Sequence, residues 1–278
     1  MAELPELETV RRELEKESVG KRFKAPEVTG TKVVHRNGGK KAFQAGLEGA
    51  KVKSVDRKGR VLVANLDTGD VMGIILGEAG HLEKVAPKST APKGTSVVLA
   101  FTQGGQIRLV DPSGAAEMFV VPSAELAQHA PETALGGLDP VADAVSWTSF
   151  ARVILARSMK LKALITDPEV VAAIGPIYSD EILWEAGLRH DRMSDELSSQ
   201  EIRRLFRALV ETLHEAVKHR GTTTEDLPFE DLYGKPGDYQ SELKVFGREG
   251  EPCKRCRAPV VKVRFSNKPL YLCESCQV

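Results

Sequence analysis

All four cysteines of this 278-residue chain lie in its last 26 residues, as Cys253-Lys-Arg-Cys256 and Cys273-Glu-Ser-Cys276. Each C-x-x-C pair presents two thiolates at adjacent corners of a tetrahedron, and two pairs close one four-sulfur zinc site. A disulfide framework fits poorly, because paired C-x-x-C knuckles without a secretion signal suit a metal better than cross-links. A C-x-x-C redox motif would sit near a βαβ pattern, which the chain lacks. Between the pairs, two β-prone stretches flank Ser266-Asn267-Lys268, so the spacing predicts a hairpin pinned at its ends by one structural Zn2+ bound through Cys253, Cys256, Cys273 and Cys276.

Lys plus Arg and Asp plus Glu both number 39, so net charge announces no polyanion partner. The terminal stretch differs. From Glu249 onward six bases (Lys254, Arg255, Arg257, Lys262, Arg264, Lys268) face three acids (Glu249, Glu251, Glu274). A basic zinc hairpin suits nucleic-acid phosphate, although a solvated face has the same composition. The acidic start and the lack of any long apolar run predict no membrane partner and, with reduced cysteines, a cytoplasmic protein.

Leu4, Leu7, Val10 and Leu14 recur at helical spacing before Gly20, predicting a helix over Glu3–Val19. From Phe23 to Val121 short β-prone runs follow, Val33-Val34 among them, with hairpin turns at Asp67–Asp70 and Gln103–Gln106. Six or more such runs predict a β-sandwich or barrel. Pro122–Pro140 reads as a linker. Helices are then expected over Ser146–Ala156, Ser179–Ala186 and Ser199–Arg220, the last opened by the capping-box pattern Ser198-Ser-Gln-Glu201.

Three stretches together resemble the formamidopyrimidine-DNA glycosylase / endonuclease VIII family of base-excision repair enzymes. They are Ala2-Glu-Leu-Pro-Glu-Leu-Glu-Thr9, Ile174-Gly-Pro-Ile-Tyr-Ser-Asp-Glu-Ile-Leu183, and the zinc hairpin ending Cys-x-x-Cys-Gln. The resemblance implies an α+β multidomain chain: an N-terminal β-sandwich with an N-terminal helix (1–125), a helix–two-turn–helix domain (138–245) and a four-cysteine zinc β-hairpin (249–278). It also implies a DNA-binding cleft and catalysis by an N-terminal amine exposed on Met removal. That amine attacks C1′ of a damaged nucleoside, and a neighbouring carboxyl serves as general acid and base.

Carried over residue by residue, the nucleophile position is Ala2 where the family has proline, and the carboxyl is Glu3. The family's β-hairpin lysine falls at Arg60, which keeps the charge but is too basic to shuttle a proton. Arg57, Lys58, Arg60 and Lys268 are the expected phosphate contacts. Other DNA contacts of the family are substituted. Its wedge methionine reads Glu78, a carboxylate that phosphates would repel. The arginine and phenylalanine of its second wedge fall in Ser113-Gly114-Ala115. A histidine reads Ser96, a lysine reads Ser158, and the phosphate-binding asparagine reads Pro176, which has no N–H to donate.

These substitutions predict a monomeric, zinc-containing binder of duplex DNA that grips the backbone and has lost most or all lesion excision. Two alternatives stand beside it. One is an active glycosylase and abasic-site lyase for oxidised bases using the Ala2 amine and Glu3. The other is a non-catalytic protein-interaction scaffold.

Overall fold

The computed structural model describes residues 1–87 and 89–278 and divides into two compact units. The first comprises Met1–Ala134 together with Arg220–Asp238; the second comprises Leu135–His219 together with Tyr239–Val278.

The first unit begins with α1 (Leu4–Ser18), whose first turn is closed by a reciprocal capping box between Glu3 and Glu6. Pro5 sits in that first turn, where no N–H is needed. The apolar stripe Leu4, Leu7, Val10, Leu14 is buried as its spacing predicts. After β1 (Glu27–Val28) come a 3-10 helix (Lys32–Asn37) and α2 (Lys40–Leu47). Here the expected strand at Val33-Val34 is corrected. Both valines are buried within the 3-10 turn, so tertiary packing overrides their β preference.

Seven strands follow: β2 (Val52–Lys58), β3 (Val61–Leu66), β4 (Asp70–Ile75), β5 (His81–Val85), β6 (Thr95–Ala100), β7 (Gln106–Val110) and β8 (Glu117–Pro122). With β1 they form two four-stranded antiparallel sheets, ordered β2-β3-β4-β8 and β1-β6-β7-β5. Both expected hairpin turns are present, between β3 and β4 and between β6 and β7. In the first sheet Gly73 pairs with Phe119, and a Cβ at Gly73 would lie 2.1 Å from that ring. The missing side chain lets Phe119 lie across the strand and join Val61, Val63, Val71 and Val121 in one core. Leu126 and Ala130 complete it, contributed by α3 (Leu126–His129) and the residue that ends it. The first half of the expected linker is therefore packed structure.

The second unit is helical: α4 (Trp147–Leu155), α5 (Leu161–Ile165), α6 (Pro176–Ala186) and α7 (Ser199–Lys218). The Ser198–Glu201 capping box opens α7, and its apolar stripe, Ile202 to Val217, is buried. Pro176 occupies the first turn of α6 behind the N-cap Gly175, so its fixed φ favours the helix start. Strands β9 (Val261–Phe265) and β10 (Lys268–Leu272) make the terminal hairpin, turning through Ser266 and Asn267 at φ 49° and 64°.

Two buried acids of α6 bind this hairpin and the segment before it. Asp180 accepts from Tyr271 N (2.9 Å) and from Lys162 Nζ (2.5 Å). Burial nonetheless lifts its carboxyl to about 6 against the pull of Lys162. Glu181 accepts from three successive backbone N–H groups, Lys244, Val245 and Phe246, at 2.8–2.9 Å. Among the described residues no helix is long and apolar enough to cross a membrane.

Candidate active site and metal centre

The start of α1 and the tip of the β2–β3 hairpin meet. Gly59 at φ 59° opens a two-residue turn between Lys58 and Val61, which leaves Arg60 at the tip. Arg60 Nη1 donates to Ala2 O at 2.6 Å. Its guanidinium is mostly buried. That burial pulls its pKa below the ordinary value, while the carboxylates of Glu3 and Glu6 act the other way. Glu3 is only 2% exposed, and Ala2 is half-buried.

Glu6 spans two segments. Its Oε2 accepts from Glu3 N (2.9 Å) and its Oε1 from Thr222 N (2.7 Å). Gly221, at φ 87°, makes the second bond sterically allowed, because a Cβ there would lie 2.5 Å from Glu6 Oε1. No local pattern marks Thr222, which lies 216 residues from its partner.

The same face of α1 holds the rest of the Arg220–Asp238 strap. Glu13 Oε2 accepts from Leu232 N at 2.9 Å, and Glu17 Oε1 from Tyr233 Oη at 2.8 Å. Burial lifts Glu13 to about 7; Asp231 adds to the rise, while the Leu232 N–H and Arg220 oppose it.

The expected phosphate contacts differ in placement. Lys58 and Lys268 are exposed. Arg57 is a correction: its side chain is 0% exposed and its Nε lies 3.3 Å from Glu8 Oε2. Alternation along β2 turns it inward, where it neutralises a buried acid and offers no surface to a phosphate.

Several substituted positions, distant in sequence, come together in the first unit. Glu78 is exposed in the β4–β5 turn, and Ser113, Gly114 and Ala115 are exposed between β7 and β8. The two loops touch, since a Cβ at Gly77 would lie 2.8 Å from Ala115 backbone. Asp111 shapes the second loop by accepting from Ser113 N (2.9 Å), Ser113 Oγ (2.6 Å) and Ala116 N (2.7 Å). Burial works against ionisation of Asp111, but these bonds prevail and hold its pKa below the usual value. Half-buried Ser96 lies close by in the chain to Gly94, whose carbonyl accepts from Asp111 N. Exposed Ser158 and half-buried Pro176 belong to the second unit.

The four cysteine sulfurs of the second unit lie within 4.8 Å of one another. Cys253 and Cys276 are 3.9 Å apart, Cys256 and Cys273 3.4 Å. A tetrahedron of Zn–S bonds of about 2.3 Å separates sulfurs by about 3.8 Å, so the donor set fits one zinc. Trp184 Nε1 and Arg255 N each donate to Cys253 Sγ at 3.4 Å, which stabilises thiolate there. Four thiolates leave no position for water, so the metal is structural.

Three family models cover most of the chain. Residues 1–118 match the formamidopyrimidine-DNA glycosylase N-terminal domain, 136–227 its H2TH domain, and 250–278 the zinc finger found in FPG and IleRS. The formamidopyrimidine-DNA glycosylase of Herpetosiphon aurantiacus is 32% identical, with all of both chains aligned. That of Geobacillus kaustophilus is 34% identical, again over all of both chains. Among solved structures, the MutM (Fpg) protein of Thermus thermophilus superposes with a TM-score of 0.87 at 30% identity, covering 99% of this chain and 98% of that one. Lactococcus lactis Fpg in complex with abasic-site DNA gives 0.88 at 26%, covering all of both. With its N-terminal sheets, helical domain and zinc finger in the same order, the chain belongs to the formamidopyrimidine-DNA glycosylase family of base-excision repair proteins.

Proposed function

We propose that this protein is an active DNA glycosylase and abasic-site lyase, acting on duplex DNA through the Ala2 amine and Glu3. The observation that carries this reading is the built cluster at the start of α1: a buried Glu3 beside Ala2, with Arg60 on the Ala2 carbonyl. Glycosylase relatives over 30% identical along their whole length also support it. The expectation of lost excision rests on the substituted nucleophile, wedge and phosphate-gripping positions.

Once Met1 is removed, the Ala2 lone pair forms a bond to C1′ as the glycosidic C–N bond breaks. The base leaves with that electron pair and takes a proton. Opening of the sugar gives an imine between Ala2 and C1′. Loss of a C2′ proton then expels the 3′ phosphate, and water hydrolyses the imine to free the amine. Glu3 is the group we assign to the proton transfers.

Lys58, Lys268 and the finger's other bases would grip the backbone, which makes affinity fall steeply with salt. Glu78 and Ser113-Gly114-Ala115 cannot fill a vacated base stack. Substrates that cost little to extrude, abasic sites first, should therefore react better than well-stacked lesions.

The test is reductive trapping. Duplexes carrying an abasic site or 8-oxoguanine are incubated with the protein and borohydride. A covalent adduct is expected at Ala2, stronger for the abasic site and greatly reduced by Glu3→Gln. Duplex binding with no adduct on either substrate would return the protein to the non-catalytic reading.

A further inference from the structure

We infer that Arg60 is a positioning residue for the N-terminal amine, holding the Ala2–Glu3 peptide plane from one edge while Glu6 holds it from the other. This inference rests on the catalytic reading above.

A trans peptide is rigid, so its C=O and N–H point to opposite edges of one plane. The C=O is that of Ala2, bound by Arg60 Nη1 at 2.6 Å; the N–H is that of Glu3, bound by Glu6 Oε2 at 2.9 Å. The plane is pinned at both edges. Once Met1 is gone, the amine joins this plane through Ala2 Cα, so the torsion ψ of Ala2 sets where its nitrogen lies and rotation about N–Cα then aims the lone pair. A primary amine has none of the ring constraint of proline, so fixing the plane matters more in this chain.

Arg60 can hold this position because of where it lies. It occupies the tip of a tight hairpin whose preceding strand is anchored by the buried Arg57–Glu8 pair on the same helix. Around the peptide, the carboxylates of Glu3 and Glu6 from α1 act on Arg60 at the hairpin tip; the strap contributes the Thr222 N–H to Glu6. Arg60 is the cation of this set. Removing it leaves two carboxylates, which favour the protonated and unreactive ammonium.

Two measurements decide the matter, both on Met-processed, zinc-loaded protein. The first is single-turnover borohydride trapping on an abasic-site duplex at saturating protein, across pH. Arg60→Gln should lower the rate on the order of tenfold or more. It should also move the pH midpoint upward by on the order of one unit. Arg60→Lys should recover part of both, and duplex Kd should change little. The second needs no DNA: acetic anhydride labelling of the Ala2 amine against pH, read by peptide mass spectrometry. Arg60→Gln should show the same upward midpoint shift. Circular dichroism checks that each variant is folded, and Arg60→Lys serves if the glutamine variant is not.

A weakened Kd with unchanged saturating rate and midpoint would make Arg60 a phosphate clamp and overturn the inference. If the wild type traps nothing, the catalytic reading fails, but labelling still decides: equal midpoints reject the role of Arg60, and a shift sustains it.

Discussion

Arg57 and Arg60 stand three residues apart in one hairpin, and the fold uses their charge differently. Arg57 turns inward to Glu8, while Arg60 reaches the Ala2 carbonyl. In the sequence Arg57 adjoins Lys58 and Arg60 follows Gly59, and the alternation that turns Arg57 inward shows only once β2 has its register. The deciding partner of Arg57 lies 49 residues away, on another element. The consequence is testable. Arg57→Gln should cost about 3 kcal/mol of stability in urea unfolding, the lower end for breaking a buried ion pair, because Glu8 keeps Arg11 and Arg12. Duplex affinity of the folded variant should be unchanged. Lys58→Gln should do the reverse: little change in stability, weaker binding and a shallower salt dependence. The four cysteines, by contrast, were legible, because their chemistry depends on position in a short motif.

Among the elements, α1 carries the most consequence, since one of its faces presents Glu6, Glu13 and Glu17 to the Arg220–Asp238 strap. The acid Glu13 is raised from 4.5 to about 7 in the folded protein, so folding there favours the proton. Its contribution to stability is full below about pH 4.5 and is lost as pH rises through about 7. The melting temperature of the wild type should therefore fall between pH 5 and 8 relative to Glu13→Gln, which keeps an acceptor for Leu232 N. If the two melting curves run parallel across that range, the assignment is wrong. The helix itself was readable from its apolar spacing and Gly20, as were the strands that pair through tight turns. The strap was not, because its contacts are backbone N–H groups to acids far back in the chain. Val33-Val34 misled for a related reason: two β-branched residues indicate burial, and the pattern around them does not fix which backbone form buries them.

At the scale of the whole molecule, one metal organises the end of the second unit. Cys253 and Cys273 share a core with Trp184, Val245 and Val260, so the zinc site and helix α6 are stabilised together. Stripping the metal with a chelator should release one zinc per chain, shift Trp184 emission to longer wavelength as its pocket opens, and weaken duplex binding. Unchanged emission would separate the finger from the helical core. The order of modules was legible in the sequence, whereas the return of Arg220–Asp238 to the first unit was not. That return has a consequence for synthesis. Helix α1 is made well before the strap, for the N–H that Glu6 binds belongs to a residue made 216 positions later. At about 5–20 residues per second the ribosome needs roughly 10–40 s to supply it. A nascent or truncated chain therefore carries α1 before it has the strap that completes its surroundings, so under the catalytic reading proposed above, competence to attack a sugar arrives only once the strap has been made.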